Sequence, residues 1–478
     1  MVAEIFVWVF YLGVLAFLAY RGRGHDVLLS GSVGFGVQAL AYVATYISAV
    51  ALVGFAGLAH KYGLQMLLIA AGNVWLGTYA VYKFLAWPTR RCQQELGART
   101  PAHLLALGHG APRLRTFLGI IFALFLGVYA SAVIKGAAML LMGILPLPFW
   151  LVVWAIAGFV GLSVYIGGLR GVLYTEAFQG AVMLVGILLI MLAIFDKVDG
   201  PFEGMRALAA LPPTKDADQG FLAFSTGGQG MFIFSLMMVT SVAVWAQPQM
   251  MQRHFALKSA AQAARCAPLA MLVLTVLVGG TYFVASLSRL IIPSVASPDE
   301  VMPLLVNMLL PDMGRHLFVL AIVSASLSTA SALYHIAVAA LAEDVPGRRC
   351  GTGVWFFSVL VCIVVSASCA QLEGQIIAML CTTSWSIIGA TALVPYLALA
   401  LGRRSHARAA WASVLVGFFS CLGWYVLAYA PTALVSPVFG QKMAAFPPFF
   451  VGIFCSLLVW FVVYSLCRQE NSAKYIEK

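Results

Sequence analysis

Long apolar stretches alternate with short polar connections along the whole chain. A helix needs about 20 apolar residues to cross the ~30 Å hydrocarbon layer of a bilayer. By this measure the pattern predicts thirteen membrane spans, numbered here in chain order: 4–20, 34–59, 64–87, 116–144, 148–168, 172–196, 228–250, 267–288, 315–342, 352–371, 375–401, 409–430 and 446–467. The connections are too short for a second folded domain. The sequence therefore predicts an all-α polytopic membrane protein.

Composition supports this fold class. The chain is 62% hydrophobic and 9% charged, with a mean hydropathy of +0.96, which excludes a typical soluble enzyme. Its nine cysteines are scattered without a CxxC pair or a His/Cys spacing that suits a metal. No catalytic triad or phosphate-binding loop is present either. We expect a protein that is not an enzyme.

The net charge of +11 reflects membrane topology. When the connections are assigned alternately to two sides, nineteen Lys and Arg residues fall on the side of the C-terminal tail and seven on the other. The positive-inside rule then places the N-terminus outside and the C-terminus in the cytoplasm. The basic excess therefore predicts no nucleic-acid partner. Span 1 lacks a basic leader and a cleavage site, so we expect a retained helix.

Span 9 carries an unusual density of hydroxyl groups. They belong to Ser324, Ser326, Ser328, Thr329 and Ser331. Such groups often bond to their own backbone and pack helices together. Alternatively, Ser328 and Thr329 offer oxygen ligands to a small hard cation at mid-depth in the membrane.

Span 2 has a small and polar centre from Ala44 to Ser48, followed by Gly54 and Gly57. This composition tolerates local unwinding, which frees backbone carbonyls to bind a cation. A close contact between helices is the other interpretation. In span 7, Pro248 removes an amide near the cytoplasmic end and predicts a bend.

Three ionisable side chains inside spans are candidates for function. Glu176 lies about two turns inside span 6, roughly 9 Å from Arg170 at 1.5 Å per residue, and favours an ion or proton path or a pair with a base. His335 follows Ser328 by seven residues on nearly the same face, so it either flanks that path or packs. Lys135 either has a functional role or extends to the outer interface.

Further polar and aromatic side chains in the spans are candidate solute ligands. They are Tyr46, Ser48, Asn73, Trp75, Trp245, Gln247 and Thr383. The alternatives for these residue types are hydrogen bonds between helices and an aromatic belt at the interface.

Four local patterns in this order resemble the sodium:solute symporter family, nearest its pantothenate and monocarboxylate transporters. They are ATYISAVALVGFAGLAHKYGL at 44–64, GGLRGVLYTEAFQ at 167–179, QPQMMQRHFALKS at 247–259 and SLSTASALYHIAVAALAED at 326–344. The resemblance implies a five-plus-five inverted repeat in which helices 2 and 7 are broken. Residues 31–200 would form the first repeat and 201–403 the second. Residues 1–30 and 404–478 would be peripheral.

The resemblance also implies site residues. Sodium would be bound by the backbone carbonyls of Ala44, Ile47 and Ala325 and by the hydroxyls of Ser328 and Thr329. Glu176 stands where many members have Asp and, with His335, would line the route by which the ion leaves to the cytoplasm. Tyr46 stands where proline transporters have Asp, which argues against proline as the solute. Lys135 has no counterpart in the family.

The predicted function is sodium-coupled symport of a small organic solute, a monocarboxylate or a pantothenate-like anion, into the cell by alternating access. The expected partners are the solute, Na⁺ as coupling ion and the lipid bilayer, with no obligate protein partner. The expected location is the bacterial inner membrane. A proton-coupled carrier on the same fold, using Glu176, His335 or Lys135, is the first alternative. A symporter-like membrane sensor and a channel are further alternatives.

Overall fold

The computed structural model describes residues 2–22, 33–142, 147–225, 227–372, 377–402, 406–429 and 446–476. These residues are helical or lie in turns and short connections. An isolated bridge pairs Thr214 with Ala217, and the described residues contain no β-strand. The prediction of an all-α fold is therefore confirmed.

The helices of the first half share short connections. They are α1 (Val2–Arg21), α2 (Phe35–Tyr46), α3 (Ala56–Tyr62), α4 (Leu67–Val74), α5 (Trp87–Leu96), α6 (Pro101–Gly108), α7 (Pro112–Leu141), α8 (Phe149–Lys197) and α9 (Pro201–Ala209). The π-helical turn Val50–Phe55 precedes α3, and the π-helical turn Trp75–Ala86 follows α4. The 3₁₀ turn Gly63–Met66 joins α3 to α4.

The second half continues in the same way. Its helices are α10 (Gly227–Ser241), α11 (Pro248–His254), α12 (Ala260–Leu274), α13 (Thr281–Leu287), α14 (Val301–Leu309), α15 (Asp312–Ala339), α16 (Thr352–Ala370), α17 (Ile377–Ala400), α18 (Ala407–Trp424) and α19 (Pro448–Ile476). The π-helical turns are Thr275–Gly280, Ala340–Asp344 and Tyr425–Tyr429, and the 3₁₀ turns are Ala243–Ala246, Ser288–Leu290 and Pro298–Glu300.

Eleven helical segments of the described chain are long and apolar enough to cross a membrane. Two of them are much longer than one crossing requires. Val50–Leu96 has 47 residues and Phe149–Lys197 has 49. Each contains a glycine with positive φ, Gly63 at 76° and Gly168 at 58°. Only glycine adopts this region at little cost, so the chain direction changes at these two positions.

The helix with the hydroxyl cluster, α15, lies at the centre of the molecule. Every residue from Phe318 to Ala339 is buried except the half-buried Ser331. α15 packs against α7, α8 and α2. By contrast, α1, α16 and α19 expose large apolar side chains such as Phe6, Phe357 and Phe454. The sequence pattern of an almost uniformly apolar helix cannot distinguish these two environments, because lipid and protein interior are both apolar.

Two helices are interrupted beside α15. α2 ends at Tyr46, Ile47 is extended (φ −101°, ψ 125°), and helical turns resume at Val50. The second interruption lies at Gln247 (φ −67°, ψ 122°), between the 3₁₀ turn Ala243–Ala246 and α11. Pro248 explains it, since the residue before a proline is disfavoured in the helical region. The interruptions leave backbone carbonyls without partners within their own helices.

Candidate functional site

Five oxygen atoms converge where α2 ends against the middle of α15. The hydroxyl Oγ of Ser328 lies 2.8 Å from the carbonyl oxygen of Ala44 and 3.1 Å from that of Ala325. Thr329 Oγ1 lies 3.3 Å from the Ala44 carbonyl and 3.2 Å from the Ile47 carbonyl. All five residues are at most 1% exposed. The residues that the sequence suggested for sodium therefore lie in one cluster.

The interruption of α2 is what makes these carbonyls accessible. A continuous helix would bond the Ala44 carbonyl to the amide of residue 48, four positions ahead. Here the helix stops at Tyr46, and the Ala44 carbonyl accepts hydrogen bonds from the two hydroxyls of α15. Three carbonyls and two hydroxyls are neutral oxygen ligands of the type that hard cations prefer. The donor set fits a monovalent cation, which the two hydroxyls would bind through their lone pairs.

The other hydroxyls of α15 have different partners. Ser326 donates to the carbonyl of Ile322 in its own helix at 3.0 Å. Ser324 donates to the phenol oxygen of Tyr11 in α1 at 2.8 Å. These two residues therefore have the packing roles that the sequence left open, and only Ser328 and Thr329 reach the α2 carbonyls.

Glu176 forms a buried ion pair with Arg253 of α11. The side chains are 0% and 2% exposed, respectively. Arg253 also donates from Nε to Thr45 Oγ1 at 3.0 Å, and its carbonyl accepts from Gln38 Nε2 at 2.6 Å. Arg253 thus joins α8, α11 and α2 directly beside the oxygen cluster, because Thr45 follows Ala44.

Arg253 is the charged residue beside the oxygen cluster that sequence reasoning missed. The charge count placed it in a cytoplasmic connection, whereas the structure buries it. The signal was present in the sequence, because a carboxylate buried in a span requires a compensating charge. However, 77 positions separate the two residues, so spacing alone could not pair them.

The remaining charged candidates lie in other surroundings. His335 is buried, and its ring packs edge-on against Trp355 of α16, with 6.3 Å between centroids. Lys135 donates from Nζ to the carbonyl of Leu372 at 3.3 Å, just after α16. Burial raises the pKa of Asp299, a carboxyl outside the spans, and the charge of Lys135 offsets part of this rise.

Several candidate solute ligands line the contact between α2, α4 and α10. Tyr46 donates from its phenol to the carbonyl of Thr240 at 2.6 Å. The Asn73 side-chain oxygen accepts from Ser241 Oγ at 3.0 Å. Ser48 accepts at Oγ from the amide of Val50 at 3.2 Å, where the helical turns resume. Trp245 Nε1 donates to the carbonyl of Leu76 at 3.0 Å.

Gln247 lies at the second interruption and has a buried polar atom without a partner. Its Nε2 donates to the carbonyl of Trp385 in α17 at 3.3 Å, whereas its Oε1 accepts no hydrogen bond. Ser384 Oγ of α17 is also buried without a hydrogen-bond partner. Buried polar groups are nearly always satisfied, so such a group requires an explanation. A bound polar solute would supply the missing partners.

Two candidate solute ligands are not brought to this contact. Trp75 is 58% exposed and packs edge-on against Tyr79, with 5.7 Å between centroids. Thr383 lines a crevice of about 30 Å³ with Ser235 of α10 and Tyr425, toward the peripheral helices. The sequence could not separate them from the others, because residue type does not reveal which helix face is buried.

A second group of buried ion pairs lies where the connection after α5 meets the end of α15. Arg99 pairs with Glu343 at 3.1 Å, and Arg115 pairs with Asp344 at 2.7 Å. Asp344 also accepts from Thr100 Oγ1 at 2.6 Å. These contacts fix the C-terminal end of the α15 segment to the start of α6 and to α7.

The fold is that of a polytopic helical membrane protein, in which five neutral oxygens cluster where α2 ends against the middle of α15. A family model for the sodium:solute symporter family matches residues 27–417. The chain belongs to the sodium:solute symporter family, whose members are sodium-coupled transporters and not enzymes. The eleven long apolar helical segments of the described residues agree with this membership.

Individual relatives agree with this membership. A sodium/pantothenate symporter of Haemophilus influenzae is 28% identical over 304 residues, 62% of this chain and 60% of the relative. That of Escherichia coli is 26% identical and is covered over 62% of its length. The chain thus spans about three-fifths of these two relatives. A high-affinity proline transporter of Bacillus subtilis is 25% identical. The match covers 86% of this chain and 89% of that transporter.

The fold also matches a solved structure. A Na⁺-coupled sialic acid symporter in a substrate-bound outward-open state has a TM-score of 0.74, with 95% of this chain and 97% of that chain covered. Its sequence is 14% identical. At this identity the match supports the fold alone.

Proposed function

We propose that this protein is a sodium-coupled symporter that carries a small organic solute, a monocarboxylate or a pantothenate-like anion, into the cell by alternating access. The observation that carries the proposal is the convergence of five neutral oxygens at the end of α2. Sodium needs no charged ligand, and an interrupted helix supplies carbonyls at membrane depth. The sodium/pantothenate symporters among the relatives support this class of solute.

Sodium would couple to the solute through α2. The ion would bind Ala44 and Ile47 of the α2 end together with Ala325, Ser328 and Thr329 of α15, and so hold the two elements together. Tyr46 and Ser48, adjacent to the ion ligands, would then be fixed for solute binding. Linkage requires that the solute tighten sodium binding by the same factor.

The solute site would lie where α2, α4, α10 and α17 meet. Tyr46, Ser48, Asn73, Trp245 and Gln247 support this position. The buried Ser384 Oγ of α17, which has no hydrogen-bond partner, adds a further polar group. Trp75 and Thr383 are not part of this proposal, because their side chains lie elsewhere.

The cytoplasmic route would pass Glu176 and Arg253. Since this pair joins α8 to α11 beside the oxygen cluster, its opening would connect the site with the cytoplasm. His335 lies two turns beyond Ser328 and would line the same route from α15.

The proposed topology is thirteen crossings, with helices 2 and 7 broken and the two repeats at 31–200 and 201–403. A straight helix of 49 residues would be ~74 Å long, more than twice the ~30 Å hydrocarbon layer. The direction changes at Gly63 and Gly168 support two crossings in each long segment. The proposed orientation keeps the N-terminus outside and the C-terminus in the cytoplasm of a bacterial inner membrane.

The test is uptake by proteoliposomes that contain the purified full chain. Labelled pantothenate, lactate, pyruvate, proline and sialic acid are offered with an inward sodium gradient or with potassium in its place. We expect uptake of a carboxylate that requires sodium. Uptake that ignores sodium but follows the pH gradient would instead identify a proton-coupled carrier.

A matched pair of variants tests the solute site. Gln247→Ala is expected to raise the KM for the solute severalfold. Gln371→Ala, an exposed glutamine that bonds within its own helix at 3.2 Å, is the control. Equal KM values for the two variants would remove Gln247 from the solute site.

A further inference from the structure

A cavity of about 340 Å³ lies between α1, α8 and α15, apart from the candidate solute site. α1 contributes Leu12 and Ala16 to its wall, and α8 contributes Phe159 and Leu162. Ser331 of α15 closes the inner side. The lining is mainly hydrocarbon, and the volume is in the range of small-molecule sites.

The cavity opens toward the bilayer. Leu12 is 45% exposed, Phe159 41% and Leu162 58%, although all three belong to segments long and apolar enough to span the membrane. In a membrane protein, exposed apolar side chains at this depth contact lipid tails. An occupant that enters from this side is therefore hydrocarbon.

Two arginines are chain neighbours of a pair of glycines at one end of the cavity, where Gly171 lines the wall. The backbones of Gly22 and Gly171 touch there, since a Cβ on Gly22 would lie 2.3 Å from the Gly171 Cα. The backbones of their chain neighbours, Arg21 and Arg170, are therefore close to each other. Arg21 is exposed, and the Arg170 guanidinium lies 5.8 Å from the centre of the Tyr174 ring. Two positive charges beside an apolar cavity favour an occupant with an anionic head and an apolar tail.

We infer that this cavity binds an acyl chain of an anionic phospholipid, whose phosphate is bound by Arg21 and Arg170. The chain would fill the space that α1, α8 and α15 leave between them. Gln179 and Ser331 in the wall follow Glu176 and Ser328 by three residues each. The lipid therefore packs against the two helices that carry the buried ion pair and the oxygen cluster.

The test uses the full chain in bilayers with a trace of phosphatidylglycerol that carries a photoactivatable group in its acyl chain. Phosphatidylcholine with the same chain is the comparison lipid. We expect cross-links from phosphatidylglycerol to concentrate on the peptides that contain residues 12–20 and 159–175. Ala16→Trp, which fills the cavity from α1, should reduce them severalfold, as should Ser163→Leu from α8. Gly13→Trp is the control, because nothing lies within 4 Å of a Cβ at that position.

The charge requirement is tested separately. Replacement of both Arg21 and Arg170 by Gln should abolish the preference for phosphatidylglycerol over phosphatidylcholine. Cross-links equal for the two lipids in the unmodified protein would overturn the inference. So would cross-links in the two filled variants at the level of Gly13→Trp, or cross-links spread evenly over all lipid-facing helices.

Discussion

Arg253 and Glu176 lie 77 positions apart and form an ion pair whose side chains are 2% and 0% exposed. Neither charge would be stable alone in this environment, because the cost of burying an ion is repaid only by a well-placed partner and further hydrogen bonds. Thr45 supplies one of these bonds at 3.0 Å. The pair therefore links the end of α2, and with it the oxygen cluster, to α8 and α11.

Glu176→Gln is expected to lower the thermal stability strongly, since it leaves the Arg253 charge buried without its partner. Loss of one member of a buried pair typically costs about 3–5 kcal/mol. The double variant Glu176→Gln, Arg253→Gln should recover most of the stability. Thermal unfolding of the detergent-solubilised protein measures both effects. Asp312→Asn, which breaks an exposed pair with Arg315, is the control and should change little.

The double variant also separates a structural role from a role in the cytoplasmic route. If the pair closes that route, the double variant should be stable but should release sodium without solute, measured as a sodium leak into proteoliposomes. Recovery of both stability and tightly coupled transport would show that the pair is structural only.

Ser328→Ala and Thr329→Ala are each expected to raise the sodium concentration for half-maximal uptake severalfold, because each removes one of five ion ligands. Ser326→Ala is the matched control on the same helix, since its hydroxyl bonds only to Ile322 of α15 among the described contacts. Uptake measured against sodium concentration gives the comparison. An unchanged sodium requirement in both variants would rule out this ion site.

Gly57→Ala is expected to reduce transport and thermal stability together. A Cβ at this position would lie 2.0 Å from the backbone oxygen of Pro298, which no side-chain rotation can relieve. Overpacking of this kind typically costs about 1–3 kcal/mol. Gly36→Ala is the control, because nothing lies within 4 Å of its Cβ. Uptake rate and thermal unfolding are measured for both; a Gly57→Ala protein equal to the control would show that the contact is absent in the membrane.

His103 predicts a pH dependence of stability. Burial, with Arg115 nearby, lowers its pKa from 6.5 to about 4, and its Nδ1 accepts from the Arg99 amide at 3.4 Å. The unfolded chain therefore takes up the proton first as the pH falls, so this histidine should make stability decrease from about pH 6.5 to about pH 4. His103→Asn should show a smaller decrease in thermal unfolding measured across this range. An identical profile would exclude His103 as a contributor.

The sequence was most informative where a residue type or a local pattern restricts the backbone to few conformations. Apolar stretches of membrane length predicted an all-α membrane protein. A helix pairs all its backbone N–H and C=O groups within one segment, whereas unpaired backbone groups in lipid cost too much free energy. Pro248 predicted a bend for a similarly local reason, its missing amide, and the backbone is extended at Gln247 just before it. The small, polar centre of span 2 allowed either local unwinding or a close helix contact, and α2 ends at Tyr46.

The tertiary structure alone decided which of these groups meet. Ser326 and Ser328 look alike in the sequence, yet one bonds to its own helix and the other to Ala44, 284 positions away. Trp75 and Trp245 are equally plausible ligands by type, but one faces outward and the other reaches Leu76 across a helix contact. In a chain this apolar, composition does not indicate which helix face is turned to lipid and which to protein. That choice, and the pairing of Glu176 with Arg253, arises from long-range packing between helices, which local sequence does not encode.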